Sequence, residues 1–393
     1  MDPIRAANRS LARDRRSVLV VPRRGCGPER SPLEITLSSE PSDRQAVARA
    51  AGSQPCCAHG RELVTTLAVR ALVARRLEKG SSSLAARAAA VLWGRMAARG
   101  IARPLRLPAE TRVIGVGSAV LGGAGKTPLA IALSRALAAR GDRVALIGHA
   151  YRADPERPRV VAIDDPVALV GDDALASTRL LAGASIPVIV APDRQRAIDH
   201  AAALGFRVLV VDGLLQASPT RLAASILVLD ASAPWGGGAC PPAGDLRAPR
   251  EALLAAADHV VALGSGEPAG SCPPNTIAIH SRIEGAIDAQ GRRWSLADLA
   301  LRRVGLFVAI ARPARIEAAL REAGVDPRPV VALADHAVPT SRDLARAARS
   351  PVDAWLTTAR CAVKLPAAIG GAPVLVLQHA IDVAPLAARL SLD

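Results

Sequence analysis

Between Arg112 and about Val261 the chain alternates short apolar, β-rich runs with longer Ala/Leu-rich stretches. The runs are 112–117 (RVIGVG), 143–148 (RVALIG), 187–191 (PVIVA), 207–212 (RVLVVD) and 225–230 (SILVLD). Each is apolar throughout, without the alternation of a sheet that is wet on one face, and each is followed by a helical pattern. That combination predicts a parallel sheet covered on both faces by helices, an α/β architecture. Residues 277–294 read as a β-hairpin turning at Gln290-Gly291. A second α/β unit follows: strand 304–310, helix 313–324, strand 329–333, helix 340–349, and strands 353–358 and 373–378.

Upstream the pattern differs. Residues 1–60 mix Arg, Pro, Ser and Gly without periodicity and read as a disordered extension, or as translated sequence ahead of the true start. From Arg61 to about Arg99 the pattern is helical, with Leu84, Ala88, Val91 and Leu92 able to share one face and Arg87, Arg95 and Arg99 another. Such a helix fits an anionic membrane surface, and it fits equally a helix packed on its own core. The domain expectation is therefore 1–60 extension, 61–110 helical and membrane-proximal, 111–276 sheet domain, 277–300 hairpin linker and 301–393 C-terminal α/β domain.

Charge sharpens this division. The 393 residues carry a net charge of +15, and residues 1–110 hold 20 Lys and Arg against 9 Asp and Glu. The remaining 283 hold 30 against 26. A near-neutral body thus carries a basic N-terminal portion, either a solvated arm or a surface for anionic lipid or another polyanion. Aromatic residues are only 2% of the chain, which leaves few platforms for stacking bases and argues against a nucleic-acid partner. Six cysteines are scattered without a CxxC pair, as expected of reduced thiols in a cytosolic compartment. No apolar run reaches about 18 residues, and no secretory signal is visible.

The first strand leads into Val120-Leu121-Gly122-Gly123-Ala124-Gly125-Lys126-Thr127-Pro128 and then a helix. A strand, a glycine-rich loop, GKT and a helix in that order form a phosphate-binding loop. In the nucleotide-binding stretch Gly122, Gly123, Ala124, Gly125, Lys126, Thr127 and Pro128, the backbone N–H groups of the glycine loop would close on phosphate oxygens, Lys126 would reach the β- and γ-phosphates, and the Thr127 hydroxyl would ligate Mg²⁺. Val120 stands where such loops place their first glycine. An acidic residue ending a neighbouring strand should complete the metal site, and Asp212 fits. Asp172-Asp173 begins a helical stretch, where N-capping explains the placement as well as chemistry does.

Seven collinear segments resemble the tetraacyldisaccharide 4'-kinase (lipid A 4'-kinase) family over roughly residues 85–380. They are Gly117-Ser118 through Pro128, Val170 to Asp173, Asp193-Arg194, Trp235 to Pro249, Ala309 to Pro313, Leu333 to His336, and Thr357 to Leu365. The most specific is WGGGACPPAGDLRAP, similar to the family's FGNG…LPAGPLREP. The resemblance implies a P-loop NTPase-like α/β domain, a β-hairpin linker and a smaller C-terminal α/β domain. It implies transfer of the ATP γ-phosphoryl group, with Mg²⁺, to the 4'-hydroxyl of a tetraacyl glucosamine disaccharide 1-phosphate. It also implies a place at the cytoplasmic face of the inner membrane, where the family is anchored by an apolar N-terminal helix; helix 83–99 here is short, Ala-rich and basic, so peripheral binding is the expectation. For catalysis the resemblance implies Asp212 and Gln216 from the family's DDGxQH segment, and Asp335-His336 from its DH motif.

The chain departs from the pattern at several of these positions. Aligned without gaps, Gly213 replaces the second Asp of DDGxQH and Ala217 the His; with a one-residue shift, Val211 replaces the first Asp instead. SRGYG is Gly148-His149-Ala150-Tyr151-Arg152, the Asn of VGN is Ser118, and TEKD is Thr358-Ala359-Arg360-Cys361. A diverged homologue that binds nucleotide or lipid without useful turnover is the alternative. A partitioning-type P-loop ATPase would need a lysine where Leu121 stands.

Overall fold

The computed structural model describes residues 18–21, 33–36, 77–81, 83–101, 103–151, 153–215 and 222–390. The chain divides into two units, Met1–Val64 and Thr65–Asp393. In the first, strand β1 (Val18–Val21) pairs antiparallel with β2 (Leu33–Thr36), placing Val18 opposite Thr36. These two runs, VLVV and LEIT, lie in the stretch expected to be disordered. Each is short but rich in branched apolar residues, which favour extended backbone. The rest of that expected extension lies outside the described residues.

In the second unit, helix α1 (Leu84–Ile101) precedes the sheet. The strands of the nucleotide-binding half are β3 (Arg112–Ser118), β4 (Val144–Ile147), β5 (Arg159–Val160), β6 (Val188–Val190), β7 (Val208–Asp212), β8 (Ala224–Asp230) and β9 (His259–Gly264). Then come β10 (Ile277–Ile287), β11 (Arg293–Ser295), β12 (Val304–Val308), β13 (Val330–Ala332), β14 (Ala354–Thr357), β15 (Ala368–Ile369) and β16 (Ala372–Ile381). Among the described residues they form one sheet, in the order β13-β12-β14-β16-β10-β9-β8-β3-β7-β4-β6-β5, with β11 on β10 and β15 on β16.

The pairs around β3, from β9 across to β6, are all parallel. Helix α2 (Lys126–Ala139) follows β3 and lays Leu129, Leu133 and Leu137 against Ile114, Val116, Leu146 and Val188. On the opposite face Val113, Ala145, Ile147, Leu209 and Val211 pack on Ile198 and Ala201 of a following helix. Burial on both faces is why these strands read as unbroken apolar runs.

β10 joins the two halves. Ile277–His280 run parallel to β9, while Ser281–Ile287 run antiparallel to β16 and then fold back on β11. The turn lies at Asp288–Gly291, where Asp288 accepts backbone N–H bonds from Gln290 and Arg292 and Gly291 has φ 81°. The hairpin expected at Gln290-Gly291 is there, but its first strand is also a full member of the sheet. The C-terminal half has its own core around Leu306, Val308, Leu356 and Leu375, and another around Phe307 and Trp355.

α1 meets the body through small residues. Ala90 and Gly94 are buried, and a Cβ on Gly94 would sit 3.0 Å from Pro249 Cγ. Leu84, Ala88, Val91, Leu92 and Met96 are exposed, with Leu84 82% and Leu92 63% open to solvent. The face that hydrophobicity alone would bury is therefore the outward one. No helix among the described residues is long and apolar enough to cross a membrane.

Candidate active site

The glycine-rich loop runs from the end of β3 to α2. Gly125, the residue preceding the helix, is left-handed at φ 82°, and a Cβ there would lie 2.4 Å from Leu263 Cδ2, so both conformation and space require glycine. Val120, at the position where glycine was expected, is buried and bridges to Leu246. The Leu121 N–H donates to the Asp245 carbonyl at 2.9 Å, and the Arg247 N–H donates to the Ala119 carbonyl at 2.8 Å. The PAGDLR segment is thus a strand-like splint along the loop, which accounts for its place beside it in the motif set.

Lys126 and Thr127 open α2. The Thr127 hydroxyl donates to Asp212 Oδ2 at 2.5 Å, and Lys126 Nζ lies 3.6 Å from Asp212 Oδ1. Because β7 is the parallel neighbour of β3, with Val116 opposite Asp212, the sheet register itself delivers this carboxylate to the loop. Asp212 is 3% exposed, yet its Oδ1 has no hydrogen bond. A buried carboxylate oxygen with a free lone pair beside a hydroxyl is a hard-oxygen donor set of the kind that suits Mg²⁺. Gln216, like Ala217, lies outside the described residues.

A second cluster faces the loop. His336 follows β13 with φ 58° and its N–H on the Ala309 carbonyl. Its Nδ1 lies 2.8 Å from Asp172 Oδ1. Asp172 is buried and also accepts from Lys364 Nζ. Asp335, the other half of the DH motif, is 3.7 Å from Nε2 and accepts from Arg360 Nη2 at 2.8 Å. Asp172 is not an N-cap: Gly171 holds that position at helix α3 (Asp172–Leu181), and no side chain caps it. The carboxylate turns inward because His336 and Lys364 offer it two donors. Burial would raise the Asp172 carboxyl, but the hydrogen bond from His336 and the hydrogen bond and charge of Lys364 hold it below the usual carboxylate range. Burial raises Asp173, against the pull of Arg360 and Lys126.

The departures from the family pattern fall into place here. His149 stands beside Gly213: a Cβ on Gly213 would lie 3.5 Å from His149 Cδ2 and 3.2 Å from Arg194 Nη2. Burial, then the charges of Arg194 and Lys126, lower His149 to about 4, so the imidazole is neutral at pH 7. Arg194 donates to the Gly213 carbonyl at 2.8 Å, and Arg247 donates to the Ser118 hydroxyl at 3.2 Å. Cys361, at the aspartate position of TEKD, accepts the Ala309 N–H at 3.2 Å.

The C-terminal half closes on the loop through Arg312 and Arg315, both between β12 and β13. Arg312 contacts Asp245 at 2.6 Å, Glu78 at 3.5 Å and Asp230 at 3.6 Å. Arg315 holds Asp230 at 3.0 Å and donates to the Gly123 carbonyl. The loop, Asp173, Tyr151, His336 and Arg360 all line one cavity of about 1080 Å³. A second cavity, of about 680 Å³, shares Ser118, His149, Arg194, Gly213 and Arg247 with it and runs to Ala97, Ile101 and Leu105. Sequence reading found the loop and His336 but not the roles of Asp172, Lys364 and Arg360. The only signal for them was membership of motif segments.

Chemically, the first cavity presents a glycine-rich backbone loop and a lysine on one wall and, on the other, an imidazole backed by a buried carboxylate. Known proteins carry the same order of parts. The family described as Tetraacyldisaccharide-1-P 4'-kinase matches residues 81–391. A tetraacyldisaccharide 4'-kinase of Methylobacterium nodulans is 39% identical over 311 residues, covering 76% of this chain and 89% of that one. One from Nitrobacter winogradskyi is 35% identical over 266 residues, covering 65% and 74%. The fold is similar to a crystal structure of LpxK from Aquifex aeolicus in complex with ATP, with a TM-score of 0.57 and 19% identity over 77% of this chain and 95% of that one. With the family matched across the loop, both cavities and the C-terminal half, the chain belongs to the tetraacyldisaccharide-1-P 4'-kinase family.

Proposed function

We propose that this chain transfers the γ-phosphoryl group of ATP to the 4'-hydroxyl of a tetraacyl glucosamine disaccharide 1-phosphate. The observation that carries the reading is the opposition, across one cavity, of Lys126 and Thr127 on Asp212 to His336 on Asp172. Backbone N–H groups of Gly122 to Thr127 and the Lys126 ammonium hold the β- and γ-phosphates, with Pro128, which has no N–H, in the first turn of α2. Thr127 and Asp212 would hold Mg²⁺, which neutralises charge on the phosphate oxygens.

The acceptor hydroxyl gives its proton to His336 Nε2 as its oxygen bonds to the γ-phosphorus. The bond from that phosphorus to the bridging oxygen breaks, and its electron pair leaves with ADP. Asp172 accepts the hydrogen bond of the Nδ1–H, which stays on the ring, and stabilises the imidazolium, while Lys364 keeps Asp172 ionised. Asp335 holds Arg360 instead of the imidazole. A binding-only reading would rest on the missing carboxylate at Gly213; the Asp172–His336 pair does not involve that position.

The second cavity supplies an acceptor site of matching chemistry. Arg194 and Arg247 give it positive charge, Leu105, Leu214, Leu215 and Leu253 give it an apolar wall, and it ends at α1. Acyl chains leaving along the exposed Leu84, Val91, Leu92 and Met96 would enter a membrane surface, with Arg87, Arg95 and Arg99 of the same helix at anionic headgroups. We therefore infer peripheral attachment at the inner face of the inner membrane, with 61–110 as the attachment segment. In the same scheme 111–276 hold nucleotide, 277–300 link, and 301–393 bring His336. The test is ATP-dependent phosphorylation of the disaccharide 1-phosphate in detergent with Mg²⁺. No turnover by folded protein overturns it.

A further inference from the structure

Arg360 is the residue of this site that the phosphoryl-transfer scheme leaves unused. It follows β14, where the family pattern has lysine, and its side chain is 23% exposed on the wall of the larger cavity. Its Nη2 donates to Asp335 Oδ1 at 2.8 Å, and its Nη1 lies 3.6 Å from Asp173. The same Nη1 lies 3.0 Å from His336 Nε2. Asp335 Oδ2 is itself 4.0 Å from the Cβ position of Gly122, so the guanidinium sits next to the phosphate-binding loop.

A guanidinium has N–H donors only and keeps its charge. Burial works against that charge here, but Asp173 and Asp335 outweigh it and push the Arg360 pKa up. His336 Nε2 must therefore be the acceptor in this contact, with its lone pair toward Arg360. The ring proton is then on Nδ1, donated to Asp172. Lys364 faces the same carboxylate, and the Tyr151 ring lies against the imidazole at 4.5 Å. Both ring nitrogens are occupied. The lone pair that must take the acceptor proton is held by Arg360.

We propose that Arg360 is a nucleotide-operated cap on His336: without nucleotide it occupies Nε2, and when ATP binds it moves to the γ-phosphoryl oxygens and frees Nε2 for the acceptor hydroxyl. This rests on the kinase reading above. Nη1 can exchange its bond to a neutral imidazole for a charge-assisted bond to a phosphoryl oxygen while Nη2 keeps Asp335, so the incoming charge supplies the driving force. Arg360 remains protonated throughout and only changes partner. The hydroxyl proton goes to Nε2, the new bond joins the acceptor oxygen to the γ-phosphorus, and the bridging bond's electron pair leaves with ADP. The base is thereby exposed only when a γ-phosphoryl group is in place.

The test combines ¹⁵N NMR of the histidine rings with calorimetry on the full chain, using Mg²⁺ with AMP-PNP and Mg²⁺ with ADP as probes. His336→Gln assigns the signal. In wild type, AMP-PNP should shift the His336 Nε2 resonance and ADP should leave it in place. In Arg360→Met the resonance should already be displaced without nucleotide and should not respond to AMP-PNP. That variant should also lose about 10- to 100-fold of the preference for AMP-PNP over ADP, the worth of one charged hydrogen-bonded contact. Arg360→Lys, which keeps the charge, should retain part of that preference and serves if the Met variant does not fold. A merely structural arginine would leave the affinity ratio unchanged. An Nε2 resonance indifferent to AMP-PNP in wild type, or an unchanged ratio in a folded variant, overturns the cap alone. Failure of wild type to bind either nucleotide overturns the kinase reading and the cap with it.

Discussion

At the scale of single residues, the site depends on which carboxylate meets which cation. Asp172 is tied to His336 and Lys364, and we expect Asp172→Asn to lower kcat by about 10²–10⁴-fold, because His336 without it loses the tautomer and the counter-charge that make it a general base. Steady-state kinetics should show the KM for ATP little changed, because the phosphate contacts lie on Lys126 and the loop. Gly213→Asp should give no gain in rate: residue 213 is left-handed at φ 80°, which strains an aspartate, and the added Cβ would stand 3.2 Å from Arg194 Nη2. His149 offers a pH test. Its pKa falls from 6.5 to about 4 on folding, so the folded state binds fewer protons there than the unfolded chain. Stability from this group is complete above pH 6.5 and is lost as pH falls toward 4. Thermal melts of His149→Gln across that window should show a shallower loss than wild type. Much of this scale was legible in the sequence only where chemistry is local. Residues 122–128 sit within one turn of one loop, whereas Asp172 and His336 are 164 residues apart and Asp172 and Lys364 are 192 apart. No spacing rule joins such positions; the motif order pointed to the segments but not to the partners. The sequence marked Asp335 and His336 as one motif, and the structure pairs His336 with Asp172 while Asp335 accepts from Arg360.

At the scale of elements, apolar runs located the strands well. β3, β7 and β8 lie within a residue or two of their expected bounds, since parallel strands buried on both faces are apolar from end to end. β10 was legible as half a hairpin but not as the joint of the sheet. Side-chain pattern records which faces are buried and carries no information on which strand lies alongside. For α1 the pattern left two readings, and the structure separates its faces: Ala90 and Gly94 inward, Leu84, Val91, Leu92 and Met96 outward. Replacing Leu92 and Met96 together with Glu should weaken co-sedimentation with anionic vesicles without changing the melting temperature, because neither side chain is packed in the fold. Wild-type binding should itself weaken as salt rises, since Arg87, Arg95 and Arg99 contribute through screened charge. Vesicle binding that ignores both changes would remove α1 from the attachment.

At the scale of the whole molecule, a single sheet runs through both halves, with the nucleotide-binding loop on one and His336 on the other. Arg312 and Arg315 bind carboxylates of the nucleotide half and the loop carbonyl of Gly123, so the second half is fastened where the phosphates must sit. Of the charges behind the net +15, residues 1–110 hold 20 Lys and Arg against 9 Asp and Glu. The central claim is that the machinery turns over although the aspartate expected at Gly213 is missing. Its most direct measurement is ATP-dependent phosphorylation of tetraacyldisaccharide 1-phosphate by wild type beside Lys126→Ala, in detergent with Mg²⁺. Clear 4'-phosphorylation by wild type, lost in folded Lys126→Ala, is the predicted result. Folded wild type that binds ATP and forms no 4'-phosphate would contradict it.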